Sequence, residues 1–248
     1  MRISASAEDR PSDRRIRFGR LDLLVLLVMM VLAGLGTWQV QRMQWKERLI
    51  AHRTAQVEAP PVALPASSED WRAFDFRTVE ATGRFLHGQE QLIGISKHDG
   101  RLGRQVLTPL VRDDGRPVLV DRGWVPEDAT HPAARRDGQV EGEVGVRGIA
   151  RFREDDEAGW FTPDARPGEG IWYAYDMAAL RRATGLDLLP VVIEADASPN
   201  PGGLPVGGRT RVHLENRHLQ YVVTWYGLAL TLVGVYIAFR FGRTRGDR

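Results

Sequence analysis

The sequence predicts a membrane protein with two transmembrane helices flanking a β-rich α+β extracytoplasmic domain, an antiparallel barrel or sandwich with one short helix. Three observations lead there. Two long uncharged runs lie near the ends of the 248-residue chain, and arginine gathers outside them. Between the runs the apolar period switches to two.

Residues 23–40 and 219–239 carry no charged side chain over 18 and 21 positions. With about 1.5 Å rise per residue they reach about 27 and 32 Å as helices, close to the roughly 30 Å hydrocarbon core of a bilayer. Both are apolar on all sides, whereas a buried helix of a soluble core is usually shorter and amphipathic. The mean hydropathy of −0.30 averages these apolar ends with a polar middle.

Orientation follows from the basic residues beside each run. Arg2, Arg10, Arg14, Arg15, Arg17 and Arg20 precede the first, and Arg42, Lys46, Arg48 and Arg53 follow it. Arg240, Arg243, Arg245 and Arg248 follow the second, against Arg209, Arg211 and Arg217 before it. Both margins place the termini in the cytoplasm and the middle outside it. The first run exceeds the roughly 7–15 residues of a signal-peptide core and has no Ala-x-Ala site after it, so it reads as an uncleaved anchor. Ala33-Gly34 lacks a following Cys, which excludes a lipoprotein site.

The chain therefore divides into a basic cytoplasmic tail (1–20), a first transmembrane helix (21–40), a helical extension and linker (41–70) and a β-rich periplasmic domain (71–197). A Pro/Gly-rich tether (198–217), a second transmembrane helix (218–240) and a basic tail (241–248) complete it. Trp38, Arg42, Trp45 and Leu49 share one helix side and carry the first helix past the membrane. Pro60, Pro61 and Pro65 end it. Short period-two runs then occupy 74–85, 91–95, 103–111, 117–125, 143–152 and 189–195, separated by Gly, Asp or Pro. Asp113-Asp114-Gly115-Arg116 is a hairpin signal. One short helix fits 176–184, with Asp176 as its cap and Gly185 as its stop.

Composition removes several chemistries. With no cysteine there is no disulfide framework, thiolate metal site, Cys nucleophile or Cys-x-x-Cys-His haem attachment. The pI of 9.2 comes largely from arginine at the membrane ends, so lipid is an expected partner and nucleic acid is not. Ser96-Lys97-His98-Asp99 holds triad residue types, but consecutive positions do not converge as a triad requires, and the segment reads as a polar turn. Asp155, Asp156 and Glu157 read as a solvated loop. No Gly-x-Ser-x-Gly, phosphate loop or His-Glu-x-x-His occurs, which favours a binding or assembly role over an enzyme.

The start of the second run, Asn216-Arg217-His218-Leu219-Gln220-Tyr221, is more informative. His218 sits at the membrane edge, where a polar side chain needs water, a partner or a ligand. A neutral imidazole binds haem iron axially; equally, His218 joins Tyr221, Trp225 and Tyr226 in an interfacial aromatic belt. At about 100° per residue, Tyr221, Val222, Trp225 and Ala229 share the His218 side, and Gly227, Thr231, Gly234 and Ala238 form a small-residue stripe opposite. Ala33, Gly34, Gly36 and Thr37 offer a match on the first helix. Packing through these stripes would turn His218 outward, towards a cofactor or another protein.

Several ordered blocks carry a resemblance. They are Gly36-Thr37-Trp38-Gln39, Arg42, Trp45-Lys46, Gly83-Arg84-Phe85, Thr108-Pro109-Leu110, residues 118–126, Asn216 to Tyr221 and Thr224-Trp225-Tyr226. Together, from about residue 34 to 240, the chain resembles the Surfeit-locus-one (Shy-type) family of cytochrome oxidase assembly proteins. That resemblance implies an assembly factor for a haem–copper terminal oxidase in the bacterial inner membrane, holding haem a for insertion into the catalytic subunit. It implies no enzymatic activity. The catalytic subunit is the implied partner, and the haem a synthesis enzymes are further candidates. The family's haem-linked His maps onto His218, with Tyr221 and Trp225 beside the ring. Arg122-Gly123-Trp124 maps onto an Arg-Gly-Trp block. There Gly123 serves a turn or bulge and Trp124 packing, and Arg122 is a candidate for a carboxylate or propionate. The family often has Asn where Asp121 stands. An oxidase-binding scaffold without haem contact, docking through the His218 side, is the alternative.

Overall fold

The computed structural model describes residues 19–113, 115–153, 159–210 and 217–246. The first basic tail up to residue 18, Asp114 of the expected turn, the acidic Asp155, Asp156 and Glu157, Arg211, Asn216 and Arg248 lie outside the described residues. In chain order the elements are α1 (Arg20–Glu58), β1 (Val62–Ala63), β2 (Thr78–Phe85), β3 (Gln91–His98), β4 (Arg101–Val111) and β5 (Val118–Pro126). They continue with β6 (Glu143–Phe152), β7 (Ile171–Trp172), α2 (Met177–Thr184), β8 (Val191–Ala195) and α3 (His218–Gly246). Two compact units result, one of Met1–Arg48 with Glu215–Arg248 and one of Leu49–Leu214.

In the first unit, α1 and α3 are each long and apolar enough to cross a membrane. Asp22 stabilises the start of α1 by accepting the Gly19 N–H at 2.7 Å, as an acidic group in a first helical turn does. The helix is 39 residues long and stops at Glu58, two residues before Pro60. The less exposed positions of α1 include Asp22, Val25, Met29, Leu32, Gly36, Gln39 and Met43. Those of α3 include His218, Val222, Trp225, Ala229, Leu232 and Tyr236. Both sets step by alternating three and four residues, the seam spacing of two paired helices.

This corrects the expected packing face. Gly227 and Gly234 meet no atom within 4 Å of where a Cβ would stand, so the small stripe of α3 is not the seam. On α1, Gly36 is used, its Cβ position lying 2.9 Å from the Tyr226 ring, but Gly34 is not. His218 faces α1 rather than outward. The cause is polar: in lipid an unpaired hydrogen-bonding side chain is costly, so polar residues seek one another across the helices.

The second unit is one eight-stranded sheet in the order β1-β2-β6-β8-β5-β4-β3-β7. A further pairing of β2 with β4, at Arg84↔Val111 and Phe85↔Leu110, brings the run of strands back on itself. The sheet is mixed, not purely antiparallel, since β1–β2, β3–β7 and β5–β8 are parallel. The chain reaches β8 by way of α2, and a crossover of this length delivers a parallel strand where a tight hairpin cannot. Asp176 caps α2 by accepting the Ala179 N–H at 2.7 Å, and Gly185 ends it at φ 67°. Met177 and Leu180 of α2 pack on Leu107, Leu119 and Val192 of the sheet. Val79, Leu110, Val120, Ala150 and Ile193 form the core on the other side.

Three local readings change. Ser96 to His98 belong to β3, and the turn is narrower, at Asp99-Gly100 with φ 47° and 79°. The two-residue strands β1 and β7 are too short to leave a period in the sequence. Residues 198–210, expected as a tether, lie against the domain: Trp124 and Val206 exchange backbone hydrogen bonds of 2.9 and 2.8 Å. Gly123, at φ 118°, permits that approach, because a Cβ there would stand 2.1 Å from Val206 O. Every residue of β5 is buried, so 121–124 lie at the centre of the domain.

Candidate functional site

The helix seam holds three polar contacts in register. His218 Nδ1 and Gln39 Oε1 are 2.7 Å apart, and the carbonyl oxygen must be the acceptor, so Nδ1 carries the proton. Thr37 Oγ1 and Tyr226 OH lie 3.0 Å apart. Further along, Tyr236 donates to Asp22 at 2.5 Å, with Arg240 3.7 Å from the same carboxylate oxygen. Trp225 lies on the seam side of α3, its Nε1–H buried without a hydrogen-bond partner among the described residues. Tyr221 is 47% exposed. His218 and Trp225 thus share the seam, and Tyr221 sits on the flank of the same helix.

Arg122 belongs to the other unit and lies inside it. Val106 pairs with Gly123 and Leu107 with Asp121, so Arg122 is the extra residue of a β-bulge, a device that re-aims a side chain. The bulge turns its guanidinium, 2% exposed, onto protein groups. Nη2 donates to Gly138 O at 2.5 Å and to Asn200 Oδ1 at 3.3 Å. The Phe85 ring is 4.7 Å away. Nη1 stands 3.6 Å from Glu90 Oε1.

Glu90 is the hub of this cluster. Arg135 donates to its two oxygens at 3.2 and 2.7 Å, and Thr108 and Gln139 donate to Oε1 at 3.2 and 3.4 Å. Burial pushes the Glu90 carboxyl up, but hydrogen bonds and charge from Arg135, with Gln139 and Arg122, outweigh it and hold the group below its ordinary value. Burial draws Arg122 below the usual arginine value. Trp124 packs edge-on to His98, whose Nδ1 accepts from Arg209 at 2.6 Å. No hydrogen bond joins His98 to Ser96 as a triad would need; its other nitrogen is 3.6 Å from Asp99. Among the described residues no His, Asp and Glu group is arranged to hold a metal ion.

The SURF1 family profile matches residues 26–230, from within the first apolar helix, across the sheet and into the second helix. The chain belongs to the SURF1 family. Similar proteins include a SURF1-like protein of Monosiga brevicollis, 38% identical over 94% of this chain and 91% of its own length. Surfeit locus protein 1 of Rattus norvegicus is 39% identical, covering 84% of this chain and 72% of the relative. The Homo sapiens protein is 36% identical over 92% and 80%.

Within this SURF1-family chain, sequence reasoning missed Gln39, Glu90, Arg135 and Asn200. Gln39 left a signal, being one of few polar side chains inside an otherwise apolar run. Glu90 left none, because it lies between two strand runs and the groups that donate to it lie 18 to 49 residues away. Asp121 is the other strongly placed group: burial, then the nearby Glu194, push its carboxyl up to about 7 despite the Gly123 N–H it accepts at 3.0 Å.

Two outcomes follow. Replacing Glu90 with Gln leaves two buried guanidinium groups without their counter-charge, and should destabilise the domain by about 3–5 kcal/mol, read as a loss in urea-unfolding midpoint. A loss under about 1 kcal/mol would contradict the hub role. An Asp whose carboxyl titrates near 7 when folded, against 3.8 ordinarily, binds its proton more tightly folded than unfolded. Its stabilising contribution is complete below about pH 4 and is lost as pH climbs through about 7. Asp121→Asn should therefore gain on the wild type as pH rises from about 4 to about 7, by at most roughly 4 kcal/mol. Parallel stability–pH curves for the two proteins would refute this.

Proposed function

We propose that this protein is a membrane-anchored assembly factor for a haem–copper terminal oxidase, holding haem a through His218 for insertion into the catalytic subunit. The SURF1 family consists of cytochrome oxidase assembly factors, and the match covers the helices as well as the sheet. The observation that carries the haem reading is the His218–Gln39 hydrogen bond. A metal-binding histidine characteristically donates its second ring nitrogen to a carbonyl or carboxylate, which fixes the ring and makes the ligating nitrogen more basic. Gln39 supplies that partner from α1. The buried, unpartnered Trp225 Nε1–H, seven residues on along the same helix, adds a polar atom that a bound group could satisfy. Haem a, when held, would supply the iron that the imidazole nitrogen ligates.

The site would lie in the bacterial inner membrane, with cytoplasmic termini and a periplasmic sheet domain, as the basic residues beside both helices favour. A scaffold reading without haem contact retains one supporting observation. The open space beside Gly227 and Gly234 lets a foreign helix approach α3 closely on its outer side.

Reporter fusions after Arg248 and between Pro60 and Pro65 should report opposite sides of the membrane; same-side signals would refute two spans. For the haem site, wild type, His218→Ala and Gln39→Ala are purified from cells that make haem a. The haem a spectrum and haem-to-protein ratio are then compared. His218→Ala should lose the bound haem, and Gln39→Ala should weaken binding about 10-fold or more while both stay membrane-inserted. Wild-type occupancy and an unshifted spectrum in His218→Ala would transfer support to the scaffold reading.

A further inference from the structure

A cleft of about 460 Å³ opens in the sheet domain beside β3 and β8, separate from the Glu90 cluster. Its lining includes the apolar and aromatic side chains of Ile93, Ile95, Tyr173 and Tyr175. It also includes Asp121, Glu194, Arg151, Arg153, Gln105 and Arg209, with the Arg153 guanidinium 3.9 Å from the Tyr175 ring. Its rim includes the irregularity of β3 between Ile93 and Ser96, where Gly94 adopts φ 65° with no atom within 4 Å of its Cβ position. Strand irregularities of this kind cluster beside binding sites.

The polar side chains of the cleft are not all hydrogen-bonded within the domain. Arg151 reaches Asp75 at 3.1 Å and Glu194 at 3.4 Å, and Arg153 reaches Glu194 at 2.8 Å. Arg209 donates only to neutral acceptors in the described contacts, His98 Nδ1 at 2.6 Å and Lys97 O at 2.9 Å. Its Nε–H is buried with no hydrogen-bond partner among the described residues. Ser96 Oγ and Gln105 Oε1, which line the same cleft, are buried and unpartnered as well. Buried polar groups are nearly always satisfied, and two of these, the Arg209 Nε–H and the Ser96 hydroxyl, are leftover donors at one cleft, which marks a place built for an acceptor. Asp121, its carboxyl pushed up to about 7 by burial and the nearby Glu194, carries less negative charge than an ordinary Asp as pH falls below 7.

We propose that this cleft binds an oxyanion carried on an apolar body, a carboxylate or phosphate monoester on a ring or short alkyl group. Arg209 is its charge partner, and the Ser96 hydroxyl and the Gln105 amide N–H donate to its head. Tyr173 and Tyr175 lie against its body. This assignment stands on the sheet domain alone and is independent of the haem reading.

The test uses the full chain in detergent, in a buffer free of phosphate and carboxylate, titrated calorimetrically with four probes. Phenyl phosphate and benzoate should bind, inorganic phosphate at least tenfold more weakly, and benzyl alcohol not detectably. Binding of phenyl phosphate without benzoate would assign the natural head group as phosphate, and the reverse as carboxylate. Arg209→Gln should weaken the better probe at least tenfold, whereas Arg116→Gln, on the exposed Asp187 pair, should leave it unchanged. Because Arg209 also ties down Lys97 and His98, Gln105→Leu provides a second variant, expected to weaken binding without lowering the unfolding midpoint. No heat from either oxyanion at millimolar concentration overturns the proposal. Equal losses in Arg209→Gln and Arg116→Gln also overturn it, and so does inorganic phosphate matching phenyl phosphate.

Discussion

The sheet domain depends on one buried carboxylate. Glu90 precedes β3, yet it accepts from Thr108 on β4, from Arg135 and Gln139 in and after the turn at Pro132–Gly138, and faces Arg122 on β5. Arg122 then reaches Asn200, and Asn200 donates to Pro205 O at 2.6 Å, which holds the last segment of the domain in place. Such a cluster is not a large net source of stability, because desolvating three charges offsets much of their attraction. Its force lies in asymmetry. Any arrangement that separates Glu90 from its arginines leaves buried charge uncompensated, so competing registers of these strands are penalised far more than the native one is favoured.

The same asymmetry acts in the helix pair. Against lipid tails, apolar side chains gain little from choosing one neighbour over another, so rotation about each helix axis is decided by the few polar groups. Gln39 with His218, Thr37 with Tyr226 and Asp22 with Tyr236 all lie between α1 and α3. Spaced along the helices, they define one relative rotation. The small residues follow from that choice: Gly36 makes room for the Tyr226 ring, and Gly34, Gly227 and Gly234 are left with open space.

What could be read in the sequence divides along this line. Uncharged length gave α1 and α3, alternation gave β2 to β6 and β8, and cap chemistry gave α2, because each is a property of neighbouring residues. The parallel β5–β8 pair, the seam through His218 and the Glu90 hub each rest on partners far apart in the chain. The outward His218 failed for a definite reason: a small-residue stripe was weighed as the packing signal, and the polar Gln39 of the first run was not. For Arg122, the family resemblance suggested a ligand contact, and the bulge that turns it onto protein groups is invisible without the register of β4.

The block at 121–124 shows how four consecutive residues come to do four different things. β5 is the most buried strand, so each of its side chains must be accommodated on one face or the other. Asp121 and Gly123 line the polar cleft, while Val120 and Arg122 line a separate cleft beside Pro199 and Asn200. The bulge frees the Gly123 N–H, and Asp121 takes it up through its own side chain. Without a side chain, Gly123 admits Val206, and Trp124 closes the arrangement by stacking edge-on with His98, the residue that also holds Arg209. Asn at position 121 would keep an acceptor for that N–H while carrying no charge to desolvate. The Asp of this chain achieves the same neutrality only while protonated. A carboxyl that titrates near 7 in the folded protein therefore makes the central strand, and the cleft beside it, respond to acidity where the Asn would not.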